Sequence, residues 1–169
     1  MLLRHLLAIL ALPFVVIVVV PRVIVVRAHE YDTRWPLEQP LNFLPWAAAV
    51  AIGLSGFILW AWCVWLFARV GRGTLAPWDP TRRLVAIGPY RYVRNPMISG
   101  VLAMLLAAAL FFGSVALLGW TAAFWLICHV YFLASEEPGL RRRFGEDYRR
   151  YAANVPRWLP RRRPWIPAN

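Results

Sequence analysis

The chain has 169 residues, 60% of them hydrophobic, a mean hydropathy of +0.53 and a formal charge of +11. Apolar runs long enough to span a bilayer recur along it, which excludes a soluble domain. The expected fold is a single all-α integral-membrane domain with about four transmembrane helices and a C-terminal amphipathic interfacial helix. All 19 basic residues are arginines, and they cluster beside hydrophobic spans, a distribution that argues against nucleic-acid binding.

The first span runs from Leu2 to Val26, with Pro13 and Pro21 inside it. Val26-Arg27-Ala28 would pass as a signal-peptidase site, but the apolar stretch is long for a signal peptide and reads as an uncleaved helix. Residues 27–44 form a polar connector broken by Pro36 and Pro40, in which His29 is a solvated loop histidine. The second span is Pro45 to Ala68. Gly53 and Gly56 permit close helix approach there, and Trp60, Trp62 and Trp65 form part of an aromatic belt. Cys63 and Cys128 lie in apolar segments without CxxC spacing, so they read as packed thiols, with no metal site expected.

Residues 69–94 form an arginine-rich loop. Its Gly71-x-Gly73 is no dinucleotide fingerprint, because no strand precedes it and the third glycine is missing. The loop ends in Gly88-Pro89-Tyr90-Arg91-Tyr92-Val93-Arg94-Asn95-Pro96-Met97, where a basic, proline-marked segment runs straight into an apolar helix. Asn95-Pro96 reads as cap and first turn. Two readings stand side by side: an interfacial anchor that fixes where the helix enters the membrane, and a seat for an anionic group on free N–H groups and guanidiniums.

The third span is Pro96 to Phe112, with Gly100, Ala103 and Ala107 as small residues on one face. Gly113-Ser114 makes a turn into the fourth span, Val115 to Ala134, whose one titratable side chain is His129. That histidine is either a structural hydrogen-bonding group or a functional one. From Glu136 the chain leaves the membrane, and Pro138 starts a helix with Leu140, Phe144, Tyr148 and Tyr151 on one stripe. Arginines on its other faces suit an interfacial helix on the headgroups, extended by Arg161-Arg162-Arg163 and Trp165.

Charge sets the expected topology. The loop from Arg69 to Asn95 has six arginines against one aspartate, and the tail from Glu136 has nine against four carboxylates. The connector between the first two spans is balanced. Both rich segments are therefore expected on the cytosolic face, where they meet.

The Gly88–Met97 string with Gly100, followed by Glu136-Glu137-Pro138 and Arg143-Phe144-Gly145-Glu146-Asp147-Tyr148, resembles the isoprenylcysteine carboxyl methyltransferase and phospholipid methyltransferase family. These are integral-membrane enzymes that use S-adenosylmethionine. The likeness covers residues 71–160, with 1–70 as a variable two-helix part and 161–169 as a basic tail. It implies methyl transfer to a hydrophobic or lipid-like acceptor without a metal, membrane lipids being the other partner. It also implies cofactor contacts on Arg82, Arg83, Leu84, Val85, Tyr90, Asn95, Pro96, Met97, Ile98, Gly100, Glu136 and Glu137. The two glutamates suit the donors of the cofactor's ammonium and ribose; helix capping before Pro138 is the other reading of the pair. Eukaryotic members carry His at Asn95, Tyr at Ile98 and an arginine at Phe132, so His129 is a candidate for substrate positioning or proton removal. Two other functions remain open, an NADPH-dependent reductase on a related scaffold and a non-catalytic protein with a decayed site.

Overall fold

Long apolar runs with no internal break favour helix, and the computed structural model follows them. It describes residues 13–27, 35, 41–71 and 84–166, and every regular element among the described residues is helical. A π-helical turn, Val15–Val19, leads into α1, Val20–Arg27. A 3₁₀ turn, Leu41–Phe43, opens α2, Leu44–Leu66, which ends in a second π turn, Phe67–Gly71. Then come α3, Pro96–Phe112, and α4, Val115–Tyr131. A third π turn, Phe132–Glu136, joins α4 directly to α5, Glu137–Asn154. Two helices are long and apolar enough to cross a membrane, Leu41–Arg69 and Val115–Asn154, and the apolar helix Pro96–Phe112 is shorter. Residues 2–12 of the expected first span lie outside the described residues, as does His29.

Two of the three π turns stand just ahead of a proline. Pro21 follows the turn at Val15–Val19, and Pro138 follows the one at Phe132–Glu136. A proline inside a helix lacks the N–H donor and collides with the carbonyl four residues earlier. Widening the preceding turn moves that carbonyl aside, and the bonds become Val20 N–H to Val15 O and Glu137 N–H to Phe132 O. The helix that carries the expected fourth span, Val115 to Ala134, therefore does not stop at Pro138; it runs on as α5.

The chain divides into two units, Met1–Ile58 with Gly100–Trp125 and Leu59–Ser99 with Leu126–Asn169. In the first, α2 and α3 touch at their small residues. A Cβ on Gly53 would sit 3.2 Å from the Ala107 Cβ; one on Gly56 would sit 2.7 Å from the Gly100 carbonyl oxygen and 2.8 Å from the Ala103 Cβ. Gly113, at φ 64°, turns the chain from α3 to α4, and the Ser114 Oγ accepts from the Leu117 N–H at 3.1 Å as an N-cap. Val25 from α1, Ala109 from α3 and Leu117 from α4 share one buried cluster.

Close contact at Gly56 and open space at Gly119 make a matched pair. Gly56→Ala should lower the melting temperature of the detergent-solubilised protein, overpacking costing about 1–3 kcal/mol. Gly119→Ala, with nothing within 4 Å of the new methyl, should raise it slightly by restoring helix propensity. Equal effects from the two would contradict the packing.

Candidate functional site

The second unit gathers the residues that the sequence singled out. Gly88, at φ 55°, lets the chain fold into a 3₁₀ turn, Gly88–Arg91, close against α2, since a Cβ there would meet the Leu66 Cδ1 at 2.9 Å. The turn drops Tyr90 into a buried cluster with Cys63, Leu66 and Val85, with Met97 packed alongside. Phe67 meets the Tyr90 ring edge-on, centroids 5.5 Å apart. Pro96 is fully buried at the start of α3, and Asn95 stands before it. The Asn95 carbonyl accepts from the Ser99 N–H, and its side-chain amide donates to the Arg157 carbonyl at 3.5 Å.

The C-terminal tail is tied to this turn along its length. Arg94 N–H donates to the Pro156 carbonyl at 2.9 Å, Arg161 N–H to the Tyr92 carbonyl at 3.0 Å, and Trp165 N–H to the Arg91 carbonyl at 2.9 Å. Arg91 Nε donates back to the Trp165 carbonyl at 2.8 Å, and the Tyr151 hydroxyl donates to the Tyr90 carbonyl at 2.8 Å. Arg91 Nε is thus committed to the tail.

The stripe of α5 packs as the sequence orders it. Tyr148, Tyr151 and Val155 form a buried cluster, with Leu140, Phe144, Leu84, Ala86 and Trp165 packed on it. The helix is not straight, however. Gly145 has φ 54° and ψ −123°, a conformation that glycine alone adopts easily, and it breaks α5 into two. No atom would block a Cβ there, so backbone conformation and not space calls for glycine.

The adjacent carboxylates have different fates. Glu137 is buried, and its Oε1 accepts from Arg94 Nη1 at 2.9 Å and from Arg157 Nε at 2.7 Å, while Oε2 accepts from Arg157 Nη2 at 3.0 Å. Burial alone would raise its pKa, but the Arg157 hydrogen bond and the Arg94 charge outweigh it and hold the carboxyl below its usual range. Glu136 is partly buried and has no hydrogen bond or ion pair among the described residues. It lies beyond the apolar part of its helix; desolvation, and then the neighbouring Glu137 charge, push its pKa up from 4.5 to about 7. Its charge also reaches the Tyr90 phenol, whose pKa is raised first by burial and further by Cys63, Tyr151 and Glu136.

The remaining candidates are dispersed. His129 Nδ1 accepts from Trp158 Nε1 at 3.0 Å, which places its ring against the tail. Leu84 belongs to the α5 cluster and Ile98 is partly buried on α3. Gly100 falls in the first unit, under Gly56. Arg82 and Arg83 lie outside the described residues. Among the described residues no cluster of metal-binding side chains occurs. Arg157 and Trp158, which help tie the site together, carried no signal in the sequence beyond their arginine- and aromatic-rich surroundings, and nothing placed Tyr151 and Trp165 against the Gly88–Arg91 turn.

The two glutamates should separate cleanly on mutation. Glu137→Gln breaks a buried ion pair and should lower stability by about 3–5 kcal/mol, read as a large fall in melting temperature. Glu136→Gln should not. The unfolded chain ionises Glu136 near 4.5 and the folded chain near about 7, so the folded state holds the extra proton between them. Stability therefore falls as pH rises through that window, and Glu136→Gln should gain on the parent as pH is raised.

A family model for phospholipid methyltransferase matches residues 46–147, while no curated protein and no solved structure matches the chain. The matched stretch takes in all but the first two residues of α2, the Gly88–Met97 turn, the α3–α4 hairpin and both glutamates. Its membrane-length helices agree with that assignment. With well over half of its length matched, the chain belongs to the phospholipid methyltransferase family.

Proposed function

We propose that the chain is a multi-pass membrane methyltransferase that takes its methyl group from S-adenosylmethionine and delivers it to a hydrophobic or lipid-like acceptor at the cytosolic face. Family membership supports methyl transfer. The observation that carries the cofactor assignment is Glu136, a partly buried carboxyl with no partner among the described residues. A carboxyl in that state suits a cationic ligand with hydrogen-bond donors, which is what an ammonium and ribose present. When bound, the cofactor supplies an electrophilic methyl whose bond to sulfur breaks with the electron pair returning to sulfur.

Within this reading residues 71–160 are the cofactor-binding core. Glu136 accepts from the cofactor, and Glu137 holds Arg94 and Arg157 in place beside it. Tyr90, Val85, Met97, Asn95, Pro96 and Ile98 are the proposed cofactor contacts beside it, with Leu84, Arg82 and Arg83 as further ones. His129 positions the acceptor. An acceptor that begins as a carboxylate loses no proton; an amine or thiol gives one up to a base or to solvent.

The proposed topology has four spans, the first at residues 2–26, with both termini, the Arg69–Asn95 loop and the tail on the cytosolic side. The charge balance of the loops supports it. Reporter fusions at Gly113 should report the outside and those at Trp78 the inside. A cytosolic Gly113 would overturn the arrangement.

Titration calorimetry with S-adenosylmethionine and with NADPH tests the function. The parent should bind the first and not the second, and Glu136→Gln should weaken binding by roughly ten- to a hundredfold, as loss of a charge-assisted hydrogen bond predicts. Parental affinity should rise with pH through about 7, because the ligand is cationic and Glu136 must ionise to receive it. In Glu136→Gln that dependence should be absent. Binding of neither ligand by the folded parent would mean a decayed site.

A further inference from the structure

The tail was expected to lie on the headgroups as an interfacial helix, extended by Arg161-Arg162-Arg163 and Trp165, with the α5 stripe on one side of it. The structure packs that stripe and Trp165 against the protein. Tyr148 and Tyr151 are buried, Leu140 and Phe144 pack on them, and the Trp165 ring meets Tyr151 edge-on at 5.5 Å. The outward face of α5 is left with Arg141, Arg142, Arg149 and Arg150 and no exposed large apolar side chain. A helix whose apolar side is used up by protein has nothing to insert into lipid.

A different part of the tail has what α5 lacks. Leu159 is 80% exposed and Ile166 is 68% exposed, among the most exposed large aliphatic side chains in the molecule. Exposed arginines, Arg162 and Arg163, stand between them in sequence. Such exposure on a loose tail would carry no weight, but this segment is held. Its backbone is bonded at Pro156, Arg161 and Trp165 to Arg94, Tyr92 and Arg91 in turn. Arg94 lies two residues ahead of Pro96, where the apolar helix α3 begins. The bonds thus fix the segment beside the point where the chain passes from polar loop to apolar helix, at headgroup depth for any helix that runs into a bilayer. Aliphatic side chains flanking a pair of guanidiniums at that depth match the two layers of an anionic lipid surface, acyl boundary below and phosphates above.

We propose that residues 157–166 form a lipid-contact surface in which Leu159 and Ile166 enter the acyl boundary and Arg162 and Arg163 take anionic headgroup phosphates. Its occupant is the anionic bilayer, chosen over a protein partner by the paired arginines and by the tether to the start of α3. The inference rests on the membrane placement proposed above but not on the cofactor.

The test uses the full chain in nanodiscs of phosphatidylcholine alone or mixed with phosphatidylglycerol. A nitrobenzoxadiazole label goes on Leu159→Cys or Ile166→Cys in a Cys128→Ser background, Cys63 being fully buried. Both labelled positions are exposed, so neither change disturbs packing. A control label on Asp147→Cys reads the outward side of α5. Labels at 159 and 166 should be blue-shifted and quenched by doxyl lipids in the mixed discs, and the control should remain aqueous. Replacing Arg162 and Arg163 together by Gln should raise several-fold the phosphatidylglycerol fraction needed for half-maximal quenching, and added salt should act likewise. Labels at 159 and 166 that stay aqueous in both kinds of disc would overturn the proposal. So would a blue shift without doxyl quenching, which would mean that protein covers the surface. Titration of S-adenosylmethionine into the same discs separates the two readings. Binding with aqueous labels overturns the lipid surface alone, and lipid-quenched labels without binding overturn the methyltransferase assignment alone.

Discussion

The carboxylate of Glu137, shared between Arg94 and Arg157, is the interaction on which the second unit depends. Its three charged members come from three places in the sequence: the turn ahead of α3, the start of α5, and the tail beyond it. A buried ion is expensive to desolvate, and only good geometry offsets that cost. Here Arg157 grips both oxygens and Arg94 takes a second position on Oε1, while the buried Arg94 Nε finds no partner among the described residues. One carboxylate against two guanidiniums leaves a net positive charge among these three groups. That excess makes it still costlier for the arginines to lose their anion. The backbone bonds between turn and tail, the Tyr151 hydroxyl on the Tyr90 carbonyl and the aromatic cluster all lie around this junction.

The same junction explains why two identical neighbours in sequence differ so much in state. Glu137 is stabilised as an anion by charges that point at it, and Glu136 is left with desolvation and with its neighbour's negative field. Burial first, and then the charge that Glu137 keeps, raise the pKa of Glu136. A group that ionises near neutrality, and waits for a cation to do so, is useful in a site that must take up a positively charged ligand.

Much of this was legible in the chain itself. Apolar run lengths gave the helices, the glycines of α2 and the small residues of α3 gave their contact, and the spacing of Leu140, Phe144, Tyr148 and Tyr151 gave the buried side of α5. What failed to show was anything that depended on pairing across long separations. Pro138 looked like a helix start because propensity places proline there, and only the wide π turn ahead of it lets the helix run on. The kink at Gly145 sat unnoticed inside a periodic pattern, since a period survives a bend that keeps the same side inward. Arg91 and Arg94 looked available to a ligand because their partners, the Trp165 carbonyl and Glu137, lie 74 and 43 residues away. The family match ends at residue 147, before Tyr151, Arg157 and Trp165, so it held no hint of the clasp either.

That clasp bears on how the protein is made. The turn at Gly88–Arg91 is translated long before Arg157 and Trp165, and loop closure over such a separation must wait for the last of them. Helices translated earlier can therefore be in place while Glu137 still lacks Arg157, and the clasp closes after them.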